Sequence, residues 1–322
     1  MIHRVVIRAV NGSVTNDFGT VYAATRRFLD GGPVYVENLQ VVDPHYLYAP
    51  SATVLLSPFG MIDMYTYARW IFIAFNALCI IGAVLLLLRL FKISLSSYAT
   101  PAVFLAVFCT ESVTNTLVFT NINGLIFLCQ AAFFVLLHER RLWAAGIPMG
   151  LSLAIKPMLA PLLLLPLLRR QWQPFVGAVA IPLVAFAAGW WLTSDGKSYF
   201  DIITPYMSEV RDYYNSSLAG AGLYFGVPEP LILALRILVI VMAAVAVYAV
   251  LTFLGVRVLS LGLREGYHPV RSRVGWQLWA TERLMDAARN YLFPIYASLL
   301  TPWWLRVLGV GLCLHIFTDW QD

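Results

Sequence analysis

Of 322 residues, 60% are apolar, 14% aromatic and only 12% charged, against roughly 45–50% apolar and about 25% charged in an ordinary soluble domain. So few charges cannot cover a water-soluble surface, which excludes a secreted or cytosolic globule. The 22 basic residues, only three of them lysine, set against 17 acidic ones give a net charge of +5 but concentrate on no single polar face, which excludes a nucleic-acid binder. The four cysteines (Cys79, Cys109, Cys129, Cys313) lie inside apolar runs without C-x-x-C spacing and act as small hydrophobes rather than disulfides or metal ligands. The chain is expected to be an all-α polytopic membrane protein.

In chain order, the first 60 residues carry Arg4, Arg8, Arg26 and Arg27 with Asp17, Asp30, Glu37 and Asp43, and no run long enough to span a bilayer. No apolar h-region follows Met1, so no signal peptide is expected. Asn16-Asp17 opens a stretch in which Phe18, Val21, Tyr22, Thr25, Phe28 and Leu29 recur at helical spacing. This predicts an amphipathic helix lying along the membrane surface. Asp17 has two readings there, a helix N-cap or a general base facing a substrate hydroxyl at the membrane interface. The segment VDPHYLYAP (42–50) follows, placing Asp43, His45, Tyr46 and Tyr48 on a rigid Asp-Pro turn. Donors, acceptors and flat rings in that set suit sugar hydroxyls, although an interfacial aromatic belt uses the same residue types.

Long apolar runs occur near 69–91, 98–111, 117–137, 142–168, 172–192, 231–255 and 291–317. Arg89, Lys92, Arg140, Arg141, Arg169 and Arg170 close or separate these runs, and 256–290 carries six Arg against three acids. Residues 193–230 reverse the balance, with five acids against Lys197 and Arg211. The positive-inside rule places the Arg clusters in the cytoplasm, and 1–66 and 193–230 outside. Both Arg pairs flanking 142–168 stay inside only if that segment is two short arms, broken at Lys156-Pro157. A lysine at membrane depth costs about 2.5–3.5 kcal/mol on insertion scales and needs an anionic partner or a wet cavity. Glu111 is the expected protein partner, and a lipid phosphate is the alternative. Arg211 is placed at the same cavity mouth, whereas Arg236 is expected to snorkel outward. The polar run TESVTNTLVFTNING (110–124) predicts the outer turn of a hairpin, with cavity lining as a second possibility.

The resulting organisation is an outer-face loop with the amphipathic helix (1–66) and a transmembrane core (67–255) containing the broken segment 142–168 and the outer loop 193–230. An Arg-rich cytoplasmic segment (256–290) and a C-terminal membrane segment (291–322) follow. Because 1–66 needs an export signal to reach the outside, a membrane helix upstream of Met1 is expected. No Walker-type glycine loop, H-E-x-x-H or G-x-S-x-G occurs, so a soluble nucleotide-sugar enzyme has no support.

Five ordered stretches carry a resemblance: NGSVTNDFGTVY (11–22), VDPHYLYAP (42–50), TNTLVFTNING (114–124), LAIKPMLAPLLLLPLLRRQW (153–172) and RDYYNSSLAGAGLYFGVP (211–228). They resemble the actinobacterial arabinofuranosyltransferase C family, polyprenyl-phosphate-dependent membrane glycosyltransferases of the GT-C fold. The likeness runs over about 1–255 and resumes weakly over 290–320. It implies transfer of D-arabinofuranose from decaprenyl-phosphoryl-arabinose to arabinan, in α(1→3) linkage and with inversion, at the outer face of the plasma membrane. Carried over by motif, Asp17 is the implied base and Lys156-Pro157 the pair beside the donor phosphate. Arg211 is placed with them, and Asp43, His45, Tyr46 and Tyr48 hold sugar. No metal or cofactor is implied, since the lipid-linked donor is a substrate. The first family helix is missing, and the six Arg over 256–290 fall where the family has an apolar span. An inactive truncated paralogue, a polyprenyl-phosphate-mannose-dependent mannosyltransferase of the same fold and a lipid-linked sugar flippase are the competing readings.

Overall fold

The computed structural model describes Ala9 and residues 17–41, 44–168, 171–211, 217–242 and 245. Expectations for Asp43, for Arg169 and Arg170, and for 256–290 and 291–322 lie outside the described residues. Among the described residues every regular element is helical, as a membrane environment requires of an unpaired chain. The chain divides into two compact units, one up to Glu209 and one from Val210 onward.

The first unit runs α1 (Asp17–Leu29), α2 (Pro50–Gly60), α3 (Tyr65–Leu90), α4 (Ala99–Phe108), α5 (Glu111–Val118), α6 (Asn123–His138) and α7 (Leu142–Ile155). A 3₁₀ stretch (Pro157–Leu163) leads into α8 (Leu164–Leu168), then α9 (Trp172–Leu192), a π-helical turn (Tyr199–Ile203) and α10 (Thr204–Ser208). In the second unit, α11 (Leu218–Tyr224) is capped by Ser217, whose Oγ accepts the Gly220 N–H at 3.1 Å; a further helix covers 229–242.

Two described helices, α3 and α9, are long and apolar enough to cross a membrane, and α4 with α5 makes a third candidate bent by 57°. Their 26 and 21 residues give about 39 and 31 Å at 1.5 Å per residue, matching a hydrocarbon core of about 30 Å. Exposed Trp172 stands at one end of α9, and Trp190 and Trp191 at the other, the placement of interfacial aromatic anchors. Along α3, Ala68, Phe72, Asn76, Ile80, Ala83 and Val84 form the buried stripe, while Trp70, Ile71, Leu78 and Leu85 face outward.

The most extensively packed helix pair is α7 with α9, and small residues bring it about. A Cβ on Gly146 would sit 3.0 Å from the Gly177 Cα, and one on Gly150 would sit 2.7 Å from the Ile181 Cβ. Lipid offers no hydrophobic drive for association, so backbone approach through such small-xxx-small positions supplies the packing. Gly150→Leu is therefore expected to cost about 1–3 kcal/mol by overpacking, read as a lower unfolding temperature of the detergent-solubilised protein. Leu183→Ala on the exposed face of α9 should leave that temperature unchanged.

Two expectations change. The apolar face of α1 is covered by protein rather than by lipid: Phe18 is fully buried, with ring centroids 4.5 Å from Phe72, 6.0 Å from Tyr65 and 6.3 Å from Phe59. Aromatic side chains on α2 and α3 give Phe18 denser packing than acyl chains do. The run 110–124 is no bare hairpin turn, because Thr110 Oγ1 accepts the Val113 N–H at 3.4 Å and starts α5. The actual turn is Phe119–Ile122, with Thr120 at φ +60°.

Candidate active site

The site is built around the break that Pro157 imposes. Proline has no N–H to donate, and its ring forces the preceding residue out of helical conformation. Lys156 accordingly sits at φ −128°, ψ 88°, ending α7 after 14 residues, about 21 Å of helix and too short to span alone. Half-buried at this break, the Lys156 Nζ donates to Asn123 Oδ1 at 2.7 Å. Asn123 thus takes the place expected for Glu111 as the protein partner of Lys156.

Asn123 is the first residue of α6, and that terminus is held from α3. The Asn76 Oδ1 accepts the Leu125 N–H at 3.3 Å, while its Nδ2 donates to the Phe72 carbonyl at 3.0 Å. Gly124 lets the two backbones meet, since a Cβ there would lie 2.6 Å from the Asn76 carbonyl oxygen. Asn121 Oδ1 accepts the Asn123 N–H at 3.1 Å. At the opposite end of α6, Glu139 pairs with Arg89 at 2.6 Å and with Arg141 at 3.8 Å. The Arg-rich turn and the Lys156 break therefore sit about 24 Å apart along α6, taken as 16 residues at 1.5 Å each.

Asp17 arrives from the other direction. Its N–H donates to the Phe119 carbonyl at 2.9 Å, docking the start of α1 on the turn that also presents Asn123. Phe18, the next residue, anchors the helix in the aromatic cluster described above. Asp17 is the first helical residue of α1, where its negative charge meets the positive end of the helix dipole. Three chain segments, the start of α1, the α5–α6 turn and the break after α7, are thereby joined through Asp17 and Lys156.

The loop between α1 and α2 is tied down separately. The Asp195 carboxylate accepts the N–H groups of Val34 at 2.8 Å and Tyr35 at 2.7 Å. Glu37 accepts the Tyr46 N–H at 2.7 Å and pairs with His45 at 3.4 Å and Arg27 at 3.5 Å. The His45 ring also meets Tyr206 edge-on at 5.4 Å and lies 3.0 Å from the Val41 carbonyl. Tyr46 is fully buried, with its hydroxyl bonded to Thr53 at 2.8 Å. The Tyr48 carbonyl accepts the Tyr35 hydroxyl at 3.0 Å. Burial pushes the Tyr35 and Tyr46 hydroxyls above their ordinary pKa, so both stay protonated at neutral pH. Of the expected sugar-holding set, Tyr46 thus forms the core of the loop. His45 is engaged with Glu37, Tyr48 lines the same aromatic cluster, and Asp43 lies outside the described residues. Arg211 belongs to the second unit.

Asp195 was not expected as a functional residue, and it is the main tether of this loop to the segment after α9. Asp195→Ala removes two hydrogen bonds to a charged acceptor and should cost about 2 kcal/mol. Faster amide exchange at Val34 and Tyr35, and proteolytic cleavage within 31–49, would register the loss.

Residues 46–273 match glycosyltransferase family 87. A Mycobacterium tuberculosis protein named alpha-(1->3)-arabinofuranosyltransferase is 48% identical over 241 residues, covering 74% of this chain and 55% of that protein. Proteins of the same name from Corynebacterium glutamicum (38% identity) and Mycolicibacterium smegmatis (40%) align with 99% of this chain, which covers 74% and 72% of them. The chain spans about half the length of the Mycobacterium tuberculosis relatives and about three quarters of the other two. No solved structure matches it. The apolar helices and the resemblance carried by the motifs at 11–22, 42–50, 114–124, 153–172 and 211–228 agree with these findings. The protein is a membrane protein and belongs to glycosyltransferase family 87.

Proposed function

We propose that the chain transfers D-arabinofuranose from decaprenyl-phosphoryl-arabinose to a hydroxyl of cell-wall arabinan, forming α(1→3) branches at the outer face of the plasma membrane. The observation that supports this reading is that Asp17 and Lys156 are both held on the α5–α6 turn, through Phe119 and Asn123, together with the names of the relatives. Asp17 takes the proton of the acceptor hydroxyl as its oxygen attacks the anomeric carbon. The bond from that carbon to the phosphate oxygen breaks, and decaprenyl phosphate leaves with one additional negative charge. Lys156 lies where that charge develops, so its stabilisation is greater in the transition state than in the bound donor. A lipid phosphate departs without a protonating acid, so one carboxylate suffices, by the logic of inverting glycosyl transfer with a sugar hydroxyl in place of water. In this reading His45 and Tyr48, with Asp43, approach the acceptor.

The test is direct. Membranes containing the chain are incubated with an arabinan acceptor and labelled decaprenyl-phosphoryl-arabinose or polyprenyl-phosphoryl-mannose, and linkages in the product are analysed. Label appearing in α(1→3) positions from the arabinosyl donor alone is the expected result. Transfer from the mannosyl donor alone overturns the arabinose assignment, and absence of transfer from either overturns the enzyme reading.

A further inference from the structure

Lys156 carries only donors, so its partner in the 2.7 Å bond must be the carbonyl oxygen of the Asn123 amide. This decides the orientation of the amide: the Nδ2 group, with two donors of its own, sits beside Oδ1 on the same carbon and is not engaged by Lys156. Asn123 is itself buried, and among the described residues its Nδ2 has no protein acceptor. Its position is fixed three times over: by Asn121 on its N–H, by Gly124 pressed on Asn76, and by Asn76 on the Leu125 N–H. A preorganised ammonium and an adjacent carboxamide donor make a two-point clip for an anion with several acceptor oxygens.

Resting on the reading of Lys156 as the donor-phosphate site, we propose that Asn123 is a second phosphate-binding residue. Its Oδ1 fixes the ammonium, and its Nδ2 donates to an oxygen of the same phosphate. A role confined to aiming Lys156 makes the opposite forecast for one isosteric change. Asn123→Asp keeps, and strengthens, the acceptor for Lys156, but it removes the Nδ2 donor and sets a carboxylate against the phosphate.

The purified full chain is titrated with decaprenyl phosphate, with decaprenol and inorganic phosphate as controls, for wild type, Asn123→Asp, Asn123→Ala and Lys156→Met, with unfolding temperatures measured in parallel. The expected result is that Asn123→Asp binds decaprenyl phosphate at least 100-fold more weakly while its unfolding temperature stays at or above that of wild type; Asn123→Ala weakens binding about 10-fold. Wild-type affinity in Asn123→Asp overturns the proposal and leaves Asn123 as a support for Lys156. Equal binding of decaprenol and decaprenyl phosphate by wild type overturns the donor-phosphate reading itself. Inorganic phosphate matching decaprenyl phosphate in affinity would also overturn it, by assigning the clip to free anion.

Discussion

Asp17→Asn is expected to lower kcat by about 10²–10⁴-fold, the contribution typical of a positioned general base, while binding of decaprenyl-phosphoryl-arabinose is retained. The substitution is nearly isosteric and removes only a charge–dipole interaction of about 0.3–1 kcal/mol at the helix start. The Asp17 N–H to the Phe119 carbonyl and the burial of Phe18 persist, so α1 keeps its place. What is lost is the ability to accept a proton. A purely capping Asp17 predicts no change in turnover, and a flippase that escorts the lipid phosphate through Lys156 predicts unchanged transport. Single-turnover measurements with labelled donor separate the cases, and full activity in Asp17→Asn would remove the base from the proposed reaction.

How far the residues announced this site follows from the range of the interactions that build it. The break at Lys156 was legible because its cause is local: proline acts on its own amide and on the residue before it, and the φ and ψ of Lys156 follow. The existence of α1 was legible from its 3.6-residue periodicity, and the helix begins at Asp17 as expected. What covers its apolar face was not, because periodicity states that a face is buried without naming the partner. The aromatic residues of α2 and α3 that surround Phe18 lie some 40 to 55 positions away. The pairing of Asn123 with Lys156 was not legible for the same reason, since the two lie 33 residues apart. The signal was present as a polar Asn-Gly pair opening an apolar helix, yet it is also what a turn requires. Tyr46 illustrates the converse: a tyrosine beside His and Asp suggests sugar binding, but the Thr53 hydroxyl seven residues on takes up its only polar group.

Lys156→Met should raise KM for the lipid-linked donor roughly 10- to 100-fold, the equivalent of about 1.5–3 kcal/mol for one charge-assisted hydrogen bond, and should lower kcat as well. Methionine preserves length and apolar bulk, so the break at Pro157 and the packing of α7 remain, and only the charge is removed. The fall in kcat follows from the charge balance of the reaction. In the proposed reaction the bound donor is a phosphodiester with one negative charge, whereas departing decaprenyl phosphate carries two, so an ammonium beside it favours the transition state over the ground state. Lys156→Arg keeps the charge, but its planar fork does not reproduce a point ammonium seated on one amide oxygen. That variant should recover part of the KM and less of the kcat. Steady-state kinetics with varied donor concentration distinguish this from a structural role. A variant that merely loosened α7 would lose activity in proportion to its lowered unfolding temperature and would show no difference between Met and Arg. Equal kinetics for Lys156→Met and wild type would place the donor phosphate elsewhere and leave Lys156 as a polar plug between α6 and α7.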